Sequence, residues 1–129
     1  MLTLLFSYWD GSGHQRQVTL QVGNTIADLL KKAKDALEKD FPQLRHVTVP
    51  NLLLVKEDII LPQSMSIYSL AVAKAHNGKG KLLVDVDMPV SAQKVHSTKV
   101  VQRSWYESNK HIYPANRWEM FTELSHIPT

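Results

Sequence analysis

The fold is decided by one stretch, LTLLFSYWDGSGHQRQVTLQV, which covers residues 2–22. Apolar side chains stand at every second position of residues 2–6 and again of residues 18–22. This period of two is typical of strands with one buried face. The two runs are separated by DGSG at residues 10–13, a cluster of turn formers. The stretch therefore predicts a β-hairpin with its turn at these four residues.

A helix is predicted directly after the hairpin. Thr25 can cap its first turn, and the carboxylate of Asp28 meets the positive end of the helix dipole there. Its apolar residues fall at helical spacing: Ile26, Leu29, Leu30, Ala33 and Leu37. Phe41-Pro42 is expected to end the helix, because proline disfavours a helical residue before it and has no N–H to donate.

Three further apolar runs predict short strands at residues 52–55, 59–61 and 81–86. The first two flank a charged turn at residues 56–58. The resulting order of two strands, one helix and three strands resembles the β-grasp fold of ubiquitin. A right-handed crossover would place the first and last strands side by side and parallel. We therefore expect an α+β fold, with a mixed sheet and one main helix.

Two regions of the chain differ in amino-acid composition. Residues 1–87 are expected to form the β-grasp-like core, and residues 88–129 a carboxy-terminal extension that packs on the core or on partners. The extension combines prolines and few aliphatic residues with aromatic residues and cations. One short helix is expected within it, over residues 100–109.

Bulk composition limits the class of protein. The chain has 129 residues, of which 43% are hydrophobic and 21% charged, which is enough for the core of one domain. The net charge of +3 is too small to indicate a dedicated nucleic-acid-binding protein. The lack of cysteine excludes thiol nucleophiles, thiolate metal sites and disulfides. The sequence contains neither a secretory signal pattern nor a run of roughly 18 apolar residues, so no membrane contact is expected.

Aromatic residues and cations cluster near both ends of the chain, and all three tryptophans belong to these clusters. The candidates for contact with a partner or with RNA are Tyr8, Trp9, His14, Arg103, Trp105, Tyr106, Lys110, His111, Arg117 and Trp118. Rings can stack on bases or anchor an interface, and cations can meet phosphates.

A packing interpretation of the same rings stays open. In this interpretation, Trp105 and Trp118 fold back over the open flank of the sheet and leave the cations in solvent. Tyr8 and Trp9 would point to opposite faces of their strand, so that one ring enters the core and the other lies against the extension.

Patterns for catalysis and for metal or cofactor binding are missing from the sequence. The DGSG turn precedes a strand and lacks the spacing of a phosphate-binding loop. The six histidines are dispersed, and no GxSxG elbow positions a serine. Glu57 and Asp58 are adjacent, so their carboxylates would point apart. We therefore expect no catalytic residue, metal, cofactor or small-molecule substrate, and an enzyme is the last alternative.

The sequences of both clusters resemble those of the XAP-five family. Its members are nuclear proteins that include the plant circadian timekeeper and vertebrate members found in splicing complexes. The resemblance covers residues 4–119. It is carried by FSYWDGSGH at residues 6–14, RSWYESNKH at residues 103–111, Arg117-Trp118, Lys56-Glu57-Asp58, Pro62, Tyr68 and Lys74-Ala75. Gln15, Tyr113 and Asn116 depart mildly from the family's pattern.

The resemblance implies a non-enzymatic nuclear protein of pre-mRNA splicing, which docks on spliceosomal proteins with RNA as a further contact. A sequence-tolerant binder of single-stranded RNA is the alternative. The residues by themselves support an interaction module. Family members typically carry a long, highly charged amino-terminal half, so the chain is expected to be either an excised domain or a compact homologue.

Overall fold

Six strands and two α-helices make up the part of the chain that this computed structural model describes, residues 2–21, 23–67, 91 and 98–120. The strands are β1 (Leu2–Trp9), β2 (Gly13–Leu20), β3 (Leu52–Lys56), β4 (Ile59–Leu61), β5 (Thr98–Gln102) and β6 (Glu119–Met120). The helices are α1 (Ile26–Leu37) and α2 (Arg103–Asn109), and 3₁₀ turns cover Pro42–His46, Val49–Asn51 and Ala115–Arg117. The expected α+β class is confirmed.

The antiparallel hairpin of β1 and β2 matches the alternating pattern that predicts it. The two strands pair residue for residue along all eight positions. In the turn, Gly11 has a φ of 105°, a left-handed value that residues with a Cβ rarely adopt. The Asp10 carboxylate accepts hydrogen bonds from the backbone N–H and the hydroxyl of Ser12, both 3.3 Å long. The turn residues thus hold the register.

Helix α1 begins at the predicted cap. The hydroxyl of Thr25 accepts a hydrogen bond from the Asp28 backbone N–H at 3.2 Å, and the Asp28 carboxylate accepts one from the Thr25 N–H at 2.9 Å. This capping box satisfies two backbone donors at the helix start. The bond from the Thr25 backbone also holds the pKa of Asp28 below its usual range.

The end of α1 lies earlier than expected. The helix stops at Leu37, and Pro42 opens a 3₁₀ turn instead of ending the helix. The reason is local: the carbonyl of Leu37 accepts hydrogen bonds from the N–H groups of Asp40 and Phe41, at 3.0 and 2.8 Å. The backbone of Phe41 then leaves the helical region, with φ of −127° and ψ of 78°, before the proline is reached.

Strand β5 lies in the middle of the sheet. The strand order is β2-β1-β5-β3-β4-β6. β5 runs parallel to β1, with Val100 opposite Tyr8, and antiparallel to β3, with Val100 opposite Leu54. β6 pairs in parallel with β4. A strand from late in the chain therefore joins the two hairpins into one sheet.

The place of β5 corrects two expectations. The helix expected over residues 100–109 begins only at Arg103, because the β-branched Thr98, Val100 and Val101 favour a strand. The parallel partner of the first strand is β5, whereas the strand expected at residues 81–86 lies outside the described residues. The boundary after residue 87 also lies outside them and stays a prediction. Residues 98–102 nevertheless supply the centre of the sheet and do not merely pack on it.

Each face of the sheet has its own core. On one face, the buried stripe of α1 packs against a set that includes Phe6, Tyr8 and Val100. On the other face, which we call the second face, a smaller second core contains Val101 and is bordered by Trp9. Neighbouring residues of a strand point to opposite faces, so the predicted separation of the Tyr8 and Trp9 rings is confirmed.

The capping carboxylate of Asp28 gives a pH-dependent prediction. Asp28→Asn should lower the melting temperature at pH 7 more than Asp35→Asn, which alters an exposed aspartate of the same helix. Because the fold lowers the pKa of Asp28 from 3.8, its contribution is fully present above pH 3.8 and is lost as the pH falls through the folded value. Thermal unfolding followed by circular dichroism should show the two variants converging in acid. A gap that stays constant down to about pH 2 would contradict this role.

Candidate functional site

Helix α2 follows β5 without a connecting loop, so the central strand positions it directly. Trp105 and Tyr106 are half-buried against the sheet, while Arg103 is exposed. Near the end of the helix, the side-chain amide of Asn109 donates to the Trp105 carbonyl at 2.8 Å. The helix therefore presents rings on its inner side and charges on its outer side.

Four rings meet on the second face of the sheet and form what we call the aromatic cluster: Trp9, Trp105, Tyr106 and Trp118. Tyr106 stacks on Trp118, with ring centroids 5.9 Å apart and 14° between the planes. Trp105 lies 6.1 Å from Trp118 and meets Trp9 edge to face at 6.5 Å. Ring pairs at such separations are favourable. The structure thus brings together candidates from both ends of the chain.

Burial favours the packing interpretation for the aromatic cluster. Trp118 is only 6% exposed, and the other three rings are half-buried. The rings lie against the apolar side chains of the second core: Leu53, Val55, Ile60, Val101 and Ala115. The cluster closes this face of the sheet. A partner-binding role for its rings stays a prediction.

Two indole N–H groups of the aromatic cluster are buried without an acceptor. Neither Trp9 Nε1 nor Trp118 Nε1 has a hydrogen-bond partner in the described part of the chain. A buried unpaired donor costs roughly 1–3 kcal/mol. The large apolar surface of both rings is therefore what holds them in place.

A lysine borders the cluster beside the β3–β4 turn. The Lys99 ammonium lies 6.0 Å from the centroid of the Trp9 ring. Burial lowers the pKa of Lys99, and the nearby carboxylates of Asp58 and Glu57 oppose this shift. Glu57 and Asp58 form the predicted charged turn, with positive φ values of 53° and 65°. The rim of the cluster therefore carries both charge signs.

Tyr8 and His14 lie apart from the aromatic cluster, on the α1 side of the hairpin. The buried Tyr8 hydroxyl accepts a hydrogen bond from Gln102 Nε2 at 2.9 Å, and its ring lies 4.9 Å from Phe41. Burial raises the pKa of Tyr8, while the Gln102 bond opposes the shift. His14 contacts the Asp10 carboxylate at 3.1 Å. The structure does not bring these two candidates together with those of α2.

The segment after α2, residues 110–117, carries three of the predicted cations, and we call it the basic loop. Lys110 pairs with Glu107 at 3.2 Å, and His111 is exposed. The Arg117 guanidinium lies 5.8 Å from the centroid of the Tyr113 ring. These cations lie in solvent, where they can meet a partner.

The apolar surface of the basic loop was only partly visible in the sequence. Tyr113 is 73% exposed and Ile112 is 46% exposed. Tyr113 stands out in the sequence only as a departure from the family's pattern, and nothing in the sequence marks Ile112. An isoleucine beside aromatic residues is usually buried, and its exposure becomes visible only when the fold is known.

Hydrogen bonds within the backbone fix the shape of the basic loop. The N–H of Ile112 donates to the Asn109 carbonyl at 3.0 Å, and the N–H of Asn116 donates to the Ile112 carbonyl at 2.9 Å. The N–H of Arg117 donates to the Pro114 carbonyl at 3.0 Å. The exposed side chains are therefore presented by an ordered segment.

Metal-ligand groups and membrane-spanning helices were sought among the described residues. Within residues 2–21, 23–67, 91 and 98–120, no three His, Cys, Asp or Glu side chains come together as metal ligands. No helix in this part of the chain has the length and apolar character needed to cross a membrane.

The fold and the site define an α+β domain whose second sheet face is closed by rings and whose second helix leads into an exposed loop of cations. The chain matches the family model described as "XAP5, circadian clock regulator C-terminal domain" over residues 1–128. The chain therefore belongs to the XAP5 family, and the resemblance seen in the sequence is confirmed.

Curated relatives agree with the family model. Proteins named "Protein FAM50 homolog" are 44% identical in Anopheles gambiae and Drosophila melanogaster and 43% identical in Caenorhabditis elegans. Each match covers 93% of this chain, but only 36% of the two insect proteins and 40% of the nematode protein. The chain thus spans well under half the length of these relatives.

Packing of the aromatic cluster predicts the effect of substitutions at Trp118. Trp118→Ala should lower the free energy of unfolding by about 3–5 kcal/mol, because it leaves a cavity over the sheet. Trp118→Phe should lower it by less than half as much, because it keeps a ring and removes the unpaired N–H. Tyr113→Ala, at an exposed ring, should stay within about 0.5 kcal/mol. Urea denaturation measures all three, and a small loss for Trp118→Ala would contradict the packing role.

Proposed function

We propose that this chain is a non-enzymatic protein-interaction module of the nucleus, associated with pre-mRNA splicing, which docks on spliceosomal proteins through the basic loop. The nuclear and splicing parts rest on what the resemblance to the XAP-five family implies, and the chain belongs to that family. The docking part is supported by the geometry of the loop. The two parts are tested separately, because either could fail alone.

The exposed apolar pair of Ile112 and Tyr113 carries the docking proposal. An ordered loop that keeps a ring 73% exposed leaves apolar surface in water that a partner can cover. Tyrosine and arginine are enriched among the residues that dominate binding energy, and Arg117 lies over the Tyr113 ring. Because the backbone bonds already fix the loop, little ordering entropy is lost when a partner binds.

We further propose that the sheet is a β-grasp. The order β2-β1-β5-β3, the parallel pairing of β1 with β5, and a helix placed after the first hairpin support this assignment. Domains of this kind bury one sheet face under the helix. Here the second face is covered as well, by the aromatic cluster. The docking surface would then be an addition to the ubiquitin-like core.

Single-stranded RNA is the second candidate partner, and one observation favours it. The basic loop places an exposed ring, Tyr113, among the cations Lys110, His111 and Arg117. A base can stack on such a ring while cations meet the phosphates. Affinity for RNA would then fall steeply with added salt, because counterions are released from the phosphates.

Loop substitutions test the docking proposal. Tyr113→Ala and Ile112→Ser should each weaken capture of nuclear proteins by the tagged chain roughly ten-fold or more, as expected when an interface anchor is removed. The measurement is affinity purification from nuclear extract with quantitative mass spectrometry. Met120→Ser is the matched control, since it removes an exposed apolar side chain from β6.

RNase treatment of the same extract separates the two candidates. Splicing proteins that survive RNase and are lost with the loop variants support protein docking. Splicing proteins that are no longer captured after RNase treatment would favour single-stranded RNA as the partner. Equal capture by the loop variants, the control variant and the parent chain would rule out the basic loop as the docking surface.

A further inference from the structure

A groove lies on the outer side of α2, between this helix and the 3₁₀ turns that precede β3. Its volume is about 390 Å³, and its polar lining consists of His46, Asn51, Gln102, Arg103, Ser104 and Glu107. Most of these side chains can donate hydrogen bonds, and Val47 also lines the groove. The groove is distinct from the basic loop.

Arg103 is held in position within this groove. Its Nε and one terminal nitrogen both donate to the Pro50 carbonyl, at 3.4 Å each. Among the described residues, no carboxylate lies within ion-pair distance of its guanidinium. The two long bonds to one carbonyl orient the guanidinium without neutralising its charge. A planar guanidinium fixed in this way suits a carboxylate.

The one carboxylate among the described lining residues already has a partner. Glu107 pairs with Lys110 at 3.2 Å, one turn further along the chain. Among the described lining residues, Arg103 is therefore left as the uncompensated formal charge, and His46 can supply a second nitrogen donor. The charge balance of the groove favours an anionic ligand.

The neutral lining groups are fixed by the fold. Gln102 donates from Nε2 to the Tyr8 hydroxyl at 2.9 Å, and Asn51 donates from Nδ2 to the Thr48 hydroxyl at 2.9 Å. Their positions are thus set before any ligand arrives. A site of this kind binds with little loss of side-chain entropy.

We propose that this groove binds the carboxylate of an aspartate or glutamate carried on an extended peptide segment of a protein partner. The inference rests on the proposed docking function, which it deepens by naming the chemistry of the partner. The carboxylate faces the Arg103 guanidinium, and the amide groups of the lining meet the peptide backbone. The segment then runs along α2 towards the apolar side chains of the basic loop.

Helix geometry gives the spacing of this segment. Seven residues separate Arg103 from Lys110, where the basic loop begins, which is about 10 Å of helix. An extended chain covers this distance in about three residues. A ligand that fills both places therefore carries an apolar side chain about three to five residues from its acidic residue.

A carboxylate fits the groove better than a phosphate or a nucleic acid. One guanidinium matches one negative charge, whereas a dianionic phosphate brings a second charge for which the described lining offers no second arginine or lysine. Among the described lining residues, the imidazole of His46 is the one ring, so a nucleotide base would find little surface to stack on. Peptide backbone, in contrast, can use the donors and acceptors of the amide side chains.

The test is a titration of the 129-residue chain, labelled with nitrogen-15, by a capped eight-residue peptide with two glutamates followed by a phenylalanine three residues later. We expect signals of the Arg103 side-chain Nε–H and of the Ser104 and Asn51 backbone amides to shift with the peptide. Arg103→Gln should weaken binding roughly ten-fold, equal to about 1.4 kcal/mol. Arg45→Gln, an exposed arginine outside the lining, is the matched control and should change binding less than two-fold.

Further variants and peptides distinguish a carboxylate from other ligands. Glu107→Gln should change binding less than about two-fold, because Lys110 already pairs with this carboxylate. A peptide with glutamines in place of the glutamates should not shift the groove signals. Equal losses for Arg103→Gln and Arg45→Gln, or tighter binding of a phosphoserine peptide or a short RNA, would overturn the proposal. If the peptide does not bind the groove but Tyr113→Ala still loses splicing proteins, the docking function would be retained and this groove would not be part of it.

Discussion

The pairing of β5 with strands on both of its sides is the interaction on which the rest of the structure depends. β1 belongs to the first hairpin and β3 to the second, and β5 forms a ladder with each. Isolated two-stranded hairpins are only marginally stable in water. Val100 and Val101 also place one side chain in each core. A five-residue strand therefore unites both ladders and both hydrophobic cores.

The same strand links the core to the surface of the molecule. β5 passes directly into α2, and its last residue, Gln102, donates to the buried Tyr8 hydroxyl. The rings of α2 therefore face the sheet, while Arg103 and the basic loop face solvent. A rearrangement of the groove or of the basic loop would disturb the packing of α2 on the sheet. We expect this surface to bind its partners largely in the form seen here.

Local patterns predicted the elements whose signals lie close together in the chain. The hairpin follows from alternation around a glycine turn, and α1 follows from the cap at Thr25 and a stripe of apolar residues. β5 was missed because its five residues gain a strand partner only from residues far away in the sequence, such as Tyr8. Two adjacent valines before an aromatic segment fit either a strand or the start of a helix. Tertiary pairing overrides such weak propensity.

The candidate site was predicted in composition, and the packing interpretation also predicted that Trp105 and Trp118 cover the sheet while the cations lie in solvent. The sequence pointed to the rings and the cations, and the structure separates them into a buried aromatic cluster and an exposed loop. Trp118 is buried over the sheet, whereas Ile112 is exposed. The groove beside Arg103 needed residues from two distant segments, His46 to Asn51 and Gln102 to Glu107. No pattern within either segment predicts that the two segments lie side by side.

Native-state hydrogen exchange of the β5 amides tests the central role of this strand most directly. If β5 unites the two hairpins, the amides of Val100 and Val101 exchange only through global unfolding, and their exchange free energy equals the free energy of unfolding measured in urea. Exchange of these amides at a much lower free energy, while those of β1 and β2 remain protected, would show that the sheet persists without β5. That result would contradict the account.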